Sequence, residues 1–93
     1  MNEQEAIKKL EIEGYGKIWT YEAEPDEIDE EHSHNYDTKL YILGGFINIT
    51  KSVNGVVVNY QYQAGDEVEI PRLQPHSAKV GSEGCRYIVA EKN

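Results

Sequence analysis

His32, Ser33 and His34 form a His-x-His triplet, and the third and last histidine, His76, closes the run Gly65-Asp66-Glu67-Val68-Glu69-Ile70-Pro71-Arg72-Leu73-Gln74-Pro75-His76. A strand turns alternate side chains to one face, so His32 and His34 can point at one spot with backbones roughly 7 Å apart. Imidazole is the commonest metal ligand among side chains. Two on one strand and a third from a second strand is how a β-barrel builds a divalent-metal site. A solitary histidine is usually a surface or satisfied core group. Three on one pattern, with none left over, point to a shared ion held by His32, His34 and His76. The bland alternative keeps them as hydrogen-bonding groups of a pocket with no tightly held ion.

Such a site needs strands to carry it. Residues 3 to 12 are predicted to form a short helix, with Ala6, Ile7 and Leu10 as the apolar stripe and Glu5 four positions before Lys9. Asn2 caps it with Glu5 three residues on, and Gly14 and Gly16 stop it. The helix is expected to lie on the outside of the barrel. After Gly16 the period changes to two. Lys17 to Ala23 suits a strand with Trp19 and Tyr21 on one face. Pro25-Asp26 marks a turn, and the metal-side strand is expected to begin at His32 to His34. Lys39 to Leu43 follows, Gly44-Gly45 allows a tight corner, and Phe46 to Val53 alternates cleanly. Asn54-Gly55 is a strong hairpin signal before the return strand Val56 to Tyr62. Val68 to Pro71, Ser77 to Val80 and Cys85 to Glu91 complete about eight strands. The expected architecture is all-β, a jelly-roll (double-stranded β-helix) barrel over residues 17 to 91 behind the short N-terminal helix. Pro71 and Pro75 bracket a loop that presents His76.

The same residues resemble a known pattern. The first motif of the cupins runs His-x-His, three or four residues, Glu, six residues and Gly. Here His32 and His34 match, Thr38 stands where the Glu belongs, and Gly45 follows six residues later. The second motif runs Gly, five residues, Pro-x-Gly, two residues, His, three residues, Asn. Gly65, Pro71 and His76 match it, while Leu73 replaces the Gly and Val80 the Asn. The chain thus resembles a small single-domain cupin from about Trp19 to Glu91. The resemblance implies a divalent ion (Zn, Fe, Mn or Ni) on the three histidines and a small polar or anionic organic molecule beside it. Cupins perform many reactions, so the fold does not choose one.

The departure at Thr38 has a chemical consequence. The family's Glu supplies an anionic ligand, and neither Thr38 nor Lys39 can do so. Three neutral imidazoles leave a dication uncompensated, so the site should bind more weakly and keep open positions for water or an anion. Asp37 is adjacent, but strand alternation sends it to the other face. Arg72 is expected to form a salt bridge with the acidic run, or else to face a carboxylate ligand at the mouth. Asp66 is read as a turn residue that ties down backbone amides.

Composition bounds the rest. Ninety-three residues make one domain, 1–93. The formal charge is −8, which argues against nucleic acid or an anionic membrane surface as partner. Acid is concentrated in the segment from Glu22 to Glu31, read as a solvated loop that also draws cations to the barrel mouth. The single cysteine, Cys85, forms no internal disulfide and is read as a small buried apolar residue. With no apolar run of membrane length and an acidic N-terminus, the expected location is cytoplasmic. Tyr41, Tyr60, Tyr62 and Tyr87 fall on predicted strands and are read as outer-layer or interface residues, with one or two able to line a pocket. A chain this short gains stability by pairing, so a homodimer is expected. Three functions stay open: a metal-dependent enzyme, a non-catalytic binding or sensing module, and a structural dimer whose pocket is packed shut by Leu40 and Ile42.

Overall fold

The computed structural model describes all residues, 1–93. Helix α1 spans Glu3–Ile12, followed by β1 (Lys17–Ala23), β2 (Ile28–His32), β3 (Asp37–Val53), β4 (Val56–Gln63), β5 (Glu67–Ile70) and β6 (His76–Lys92). All strand pairing is antiparallel, and two long strands organise it. β3 and β6 lie side by side from Asp37↔Lys92 to Lys51↔His76. The first half of β3 and the last half of β6 carry β5 and β1 on their outer flanks. The other halves carry β4 and β2. Two four-stranded layers result, joined through the bends of the two long strands.

Seven of the eight expected strands are present as segments, four of them merged into two continuous strands, and the eighth, expected from His32 to His34, lies earlier, as β2. The bends fall where glycines allow them. Register shifts on either side of Gly44 and Gly45 in β3, opposite Arg86 and Cys85. Gly45 has φ +73°, and a Cβ there would overlap the Gly84 carbonyl oxygen. The predicted Asn54-Gly55 hairpin forms, with φ of 52° and 79° and Val53 paired to Val56. Asp66 behaves as expected, its Oδ2 accepting from the Gln63 amide at 2.9 Å.

Alternation along β3 and β6 sorts side chains into two clusters. Leu40, Ile42, Ile47, Ile49, Val80, Cys85 and Tyr87 point between the layers with Val68 and Ile70. Tyr41, Ile88 and Ala90 point outward and are covered by Ala6 and Leu10 of α1. The helix thus lies on the outer face, as its stripe predicts. Asn2 and Glu5 close the capping box that starts it. A second fastening is ionic. Lys39 is buried on that outer face, its Nζ 2.9 Å from Glu13, 3.5 Å from Glu69 and 3.7 Å from Glu67. Burial opposes its charge, but these carboxylates prevail and push its pKa up to about 12.

Cys85 is buried, and burial pushes its thiol up to about 11. That is the small apolar role read from the sequence. No helix is long and apolar enough to cross a membrane.

Candidate metal centre

β2 ends at His32, so the expected strand through His34 is corrected: His34 lies in the link between β2 and β3. The predicted acidic loop is also shorter than expected, since Ile28 to Glu31 form most of β2 along an exposed edge. The loop from Pro71 to Pro75 presents His76 as expected, and His76 opens β6. The register places His32 opposite His76 and Lys51 on the other side of His76. The pair that strand geometry itself makes is thus His32 and His76, cross-strand neighbours on one face. His34 reaches them because the chain turns after β2.

The three rings gather closely. Centroids are 4.3 Å apart for His32 and His76, 4.7 Å for His32 and His34, and 5.1 Å for His34 and His76. Their candidate ligand atoms all lie within 4.8 Å of one another. A tetrahedral ion held at about 2.1 Å needs nitrogens about 3.4 Å apart, so the rings must draw closer to share one. His76 is buried, His34 half-buried and His32 exposed, so the cluster runs from the interior to the mouth.

What lies behind the rings decides which nitrogen is free. His32 Nδ1 is 2.6 Å from the Glu30 carbonyl, and His76 Nδ1 is 2.9 Å from the Gln74 carbonyl. A carbonyl only accepts, so each Nδ1 carries the proton and each Nε2 keeps its lone pair for a ligand. His34 Nδ1 is 3.1 Å from the Tyr36 hydroxyl, and the two rings stack at 19°. Glu91 faces that hydroxyl and, after burial, helps hold its proton. Burial pushes His76 below the ordinary imidazole value, the Gln74 carbonyl opposing and His32 adding repulsion. His34 moves the same way, by burial first and then by His32 and His76. Both shifts favour the neutral imidazole, the form a cation needs.

The cavity in front of them holds about 330 Å³. Leu40, Ile47, Ile49, Ile70 and Val89 form its apolar wall. Leu40 does not pack it shut, and Ile42 lies wholly in the core. Thr38 also lines it. Register places Thr38 between Ile70 and Glu91, and its buried Oγ1 has no hydrogen-bond partner in the chain. A polar atom left over at that point suits a bound ligand or water.

Asp37 does not join the cluster. Its Oδ1 accepts from the Arg72 amide at 2.9 Å, away from the cavity. Arg72 forms neither contact expected of it, because its guanidinium donates to the Asn35 carbonyl at 2.9 Å. These contacts fasten the Pro71 turn to the link that carries His34. Of the tyrosines, Tyr41 is covered by the helix and Tyr87 lines the cavity. The sequence reasoning missed Tyr36 and Glu91. Tyr36 lies in the link after β2, where strand alternation does not apply, and only its nearness in sequence to His34 could have marked it. Glu91 could not, since only strand pairing brings it beside Thr38.

Neither a scan against protein-family models nor a search of curated proteins gives a match. Solved structures do match. An oxalate decarboxylase variant from Bacillus subtilis superposes with a TM-score of 0.78 at 22% identity, over 94% of this chain and 23% of that one. The cupin domain of Drosophila melanogaster CENP-C gives 0.74 at 16% identity, over 83% of this chain and 61% of that one. Lactobacillus farciminis oxalate decarboxylase, in a formate complex, gives 0.74 at 20% identity, over 80% of this chain and 22% of that one. The chain thus spans less than two thirds of each. These likenesses, and the two strand layers closing around a cavity, show that the chain has the cupin fold.

Proposed function

We propose that the chain is a single cupin domain, residues 1–93, in which His32, His34 and His76 hold one divalent cation through Nε2 and a small polar molecule binds beside it. The observation that carries this is the convergence of three imidazoles whose Nδ1 sides are already engaged. A divalent ion there supplies Lewis-acid polarisation of a ligand oxygen or of water. The chain's own residues orient the rings, exclude water along the apolar wall, and offer Thr38 Oγ1 to the ligand. Bacillus subtilis oxalate decarboxylase has Mn(II) centres. That supports a divalent ion here without selecting among Zn, Fe, Mn and Ni. The test is metal analysis of untagged protein. About one ion per chain is expected, lost in His34→Ala and His76→Ala; a ratio far below one, or one unchanged by both variants, overturns the proposal.

A second reading has its own observation. Thr38 stands where the family pattern has a carboxylate, which favours a binding or sensing module without a tightly held metal. A bound metabolite recovered unchanged after incubation with metal-free protein would favour it. Pairing of two copies is part of the proposal as well. The edge strand β4 exposes Val56, Val57 and Tyr60, and a sedimentation mass of one chain would sink the pairing.

A further inference from the structure

We infer that the organic ligand of this cavity carries an organic ammonium group, seated at the mouth against Trp19, Asp29 and Glu91 while its other end faces the imidazoles. The inference rests on the cavity being the ligand site proposed above. It narrows the small polar molecule proposed above and departs from the anionic alternative expected from the sequence.

Charge is the first ground. Glu27, Asp29 and Glu91 line the cavity, and none of the chain's nine lysines and arginines does. A divalent ion on neutral imidazoles brings two positive charges against the three lining carboxylates, and the third positive charge at the mouth is the exposed, displaceable Lys17 beside Glu91. An anionic ligand would meet the metal and the exposed Lys17 as counter-charges, and three carboxylates as repulsion. A cation meets the reverse.

Ring chemistry is the second ground. Trp19, Tyr21, Tyr36 and Tyr87 surround the same space, with Trp19 and Tyr21 partly exposed at the mouth. Tyr21 and Tyr87 lie 5.6 Å apart at 55°, and Tyr21 donates to Glu27 at 2.7 Å, which fixes its ring. Aromatic faces beside carboxylates are the surroundings that hold ammonium groups. The chain supplies an example of its own. Lys17 Nζ lies 5.3 Å from the centre of the Trp19 ring and 3.9 Å from Glu91 Oε1. Its side chain is 74% exposed, so a ligand cation can displace this loose, screened pair.

Thr38 Oγ1 is the third ground. It is buried, unpartnered and opens on the cavity. Its hydroxyl can donate to or accept from the other end of the ligand.

Trp19 is the only tryptophan, so its fluorescence reports the cavity directly. The experiment titrates the metal-loaded full chain with tetramethylammonium, choline and ethanolammonium against formate, acetate and glycolate at matched ionic strength. At least one cation should give saturable binding about tenfold tighter than every anion. Glu91→Gln and Asp29→Asn should each weaken it about fivefold or more, while Glu83→Gln, which removes the same charge outside the cavity, should not. Lys17→Gln should tighten it. Non-saturable cation quenching, an anion binding as well as the best cation, or an equal effect of Glu83→Gln overturns the inference. Metal content is measured on the same samples. One ion per chain with anion preference sinks the ligand class alone, and cation preference without metal sinks the metal centre alone.

Discussion

Thr38→Glu should tighten the metal centre. Thr38 is 7% exposed, and its unpartnered Oγ1 opens on the cavity that the three imidazoles line. Two unit charges about 4 Å apart attract by about 4 kcal/mol at an effective dielectric of about 20, and a dication doubles this to about 8 kcal/mol. Taking the new carboxylate out of water returns several kcal/mol of that. A net of about 3 kcal/mol remains, on the order of a hundredfold in Kd. Without metal the sign reverses, because a carboxylate beside Leu40 and Ile70 lacks a cation and costs about 2 kcal/mol of stability. Competition with a chromogenic chelator gives the two affinities, and melting curves with and without metal give the two stabilities. The variant should melt lower than wild type in chelator and gain more than wild type on metal addition. Equal affinities, or a metal gain that survives His34→Ala in the variant, would refute the reasoning.

Tyr36→Phe removes the partner of His34 Nδ1 while keeping the stacked ring, so metal affinity should fall about tenfold with little change in melting temperature. An unchanged affinity would show that Tyr36 does not orient His34. Lowered folded-state values for His34 and His76 mean that the unfolded chain binds more protons between those values and about 6.5. Metal-free stability should therefore be full above about pH 6.5 and fall as pH drops through that window, with bound metal released over the same range. A flat melting temperature from pH 7 to 5 would contradict this. Lys39→Met strands Glu13, Glu67 and Glu69 around an uncharged side chain, so stability should fall by about 1–2 kcal/mol. Salt should recover part of the loss, and a variant as stable as wild type in low salt would count against the ionic fastening of the helix.

Much of this protein was legible in its sequence because local rules governed it. Asn2 and Glu5 cap α1, Asn54-Gly55 makes its hairpin, and Asp66 closes its turn, each through contacts within four residues along the chain. Two-residue alternation was legible along Phe46 to Val53, but which face is inner was settled only when β3 and β6 paired and α1 covered the other side. The three histidines were named from motif spacing, and the fold brings all three together.

Tertiary structure decided the rest, since register and chain direction are not local properties. His32 and His34 need not share a strand, because a turn after β2 carries His34 inward and pairing sets His32 against His76. The merging of four expected strands into two follows from glycine bends that keep hydrogen bonding continuous on either side. Glu91 stands beside Thr38 only because residues 53 positions apart face each other across β3 and β6. The acid around the cavity is likewise assembled from the β1–β2 link, β2 and the end of β6. A sequence fixes which side chains exist and which way each turns relative to its neighbours. Where distant segments meet is set by packing of the whole sheet, and that meeting creates the site.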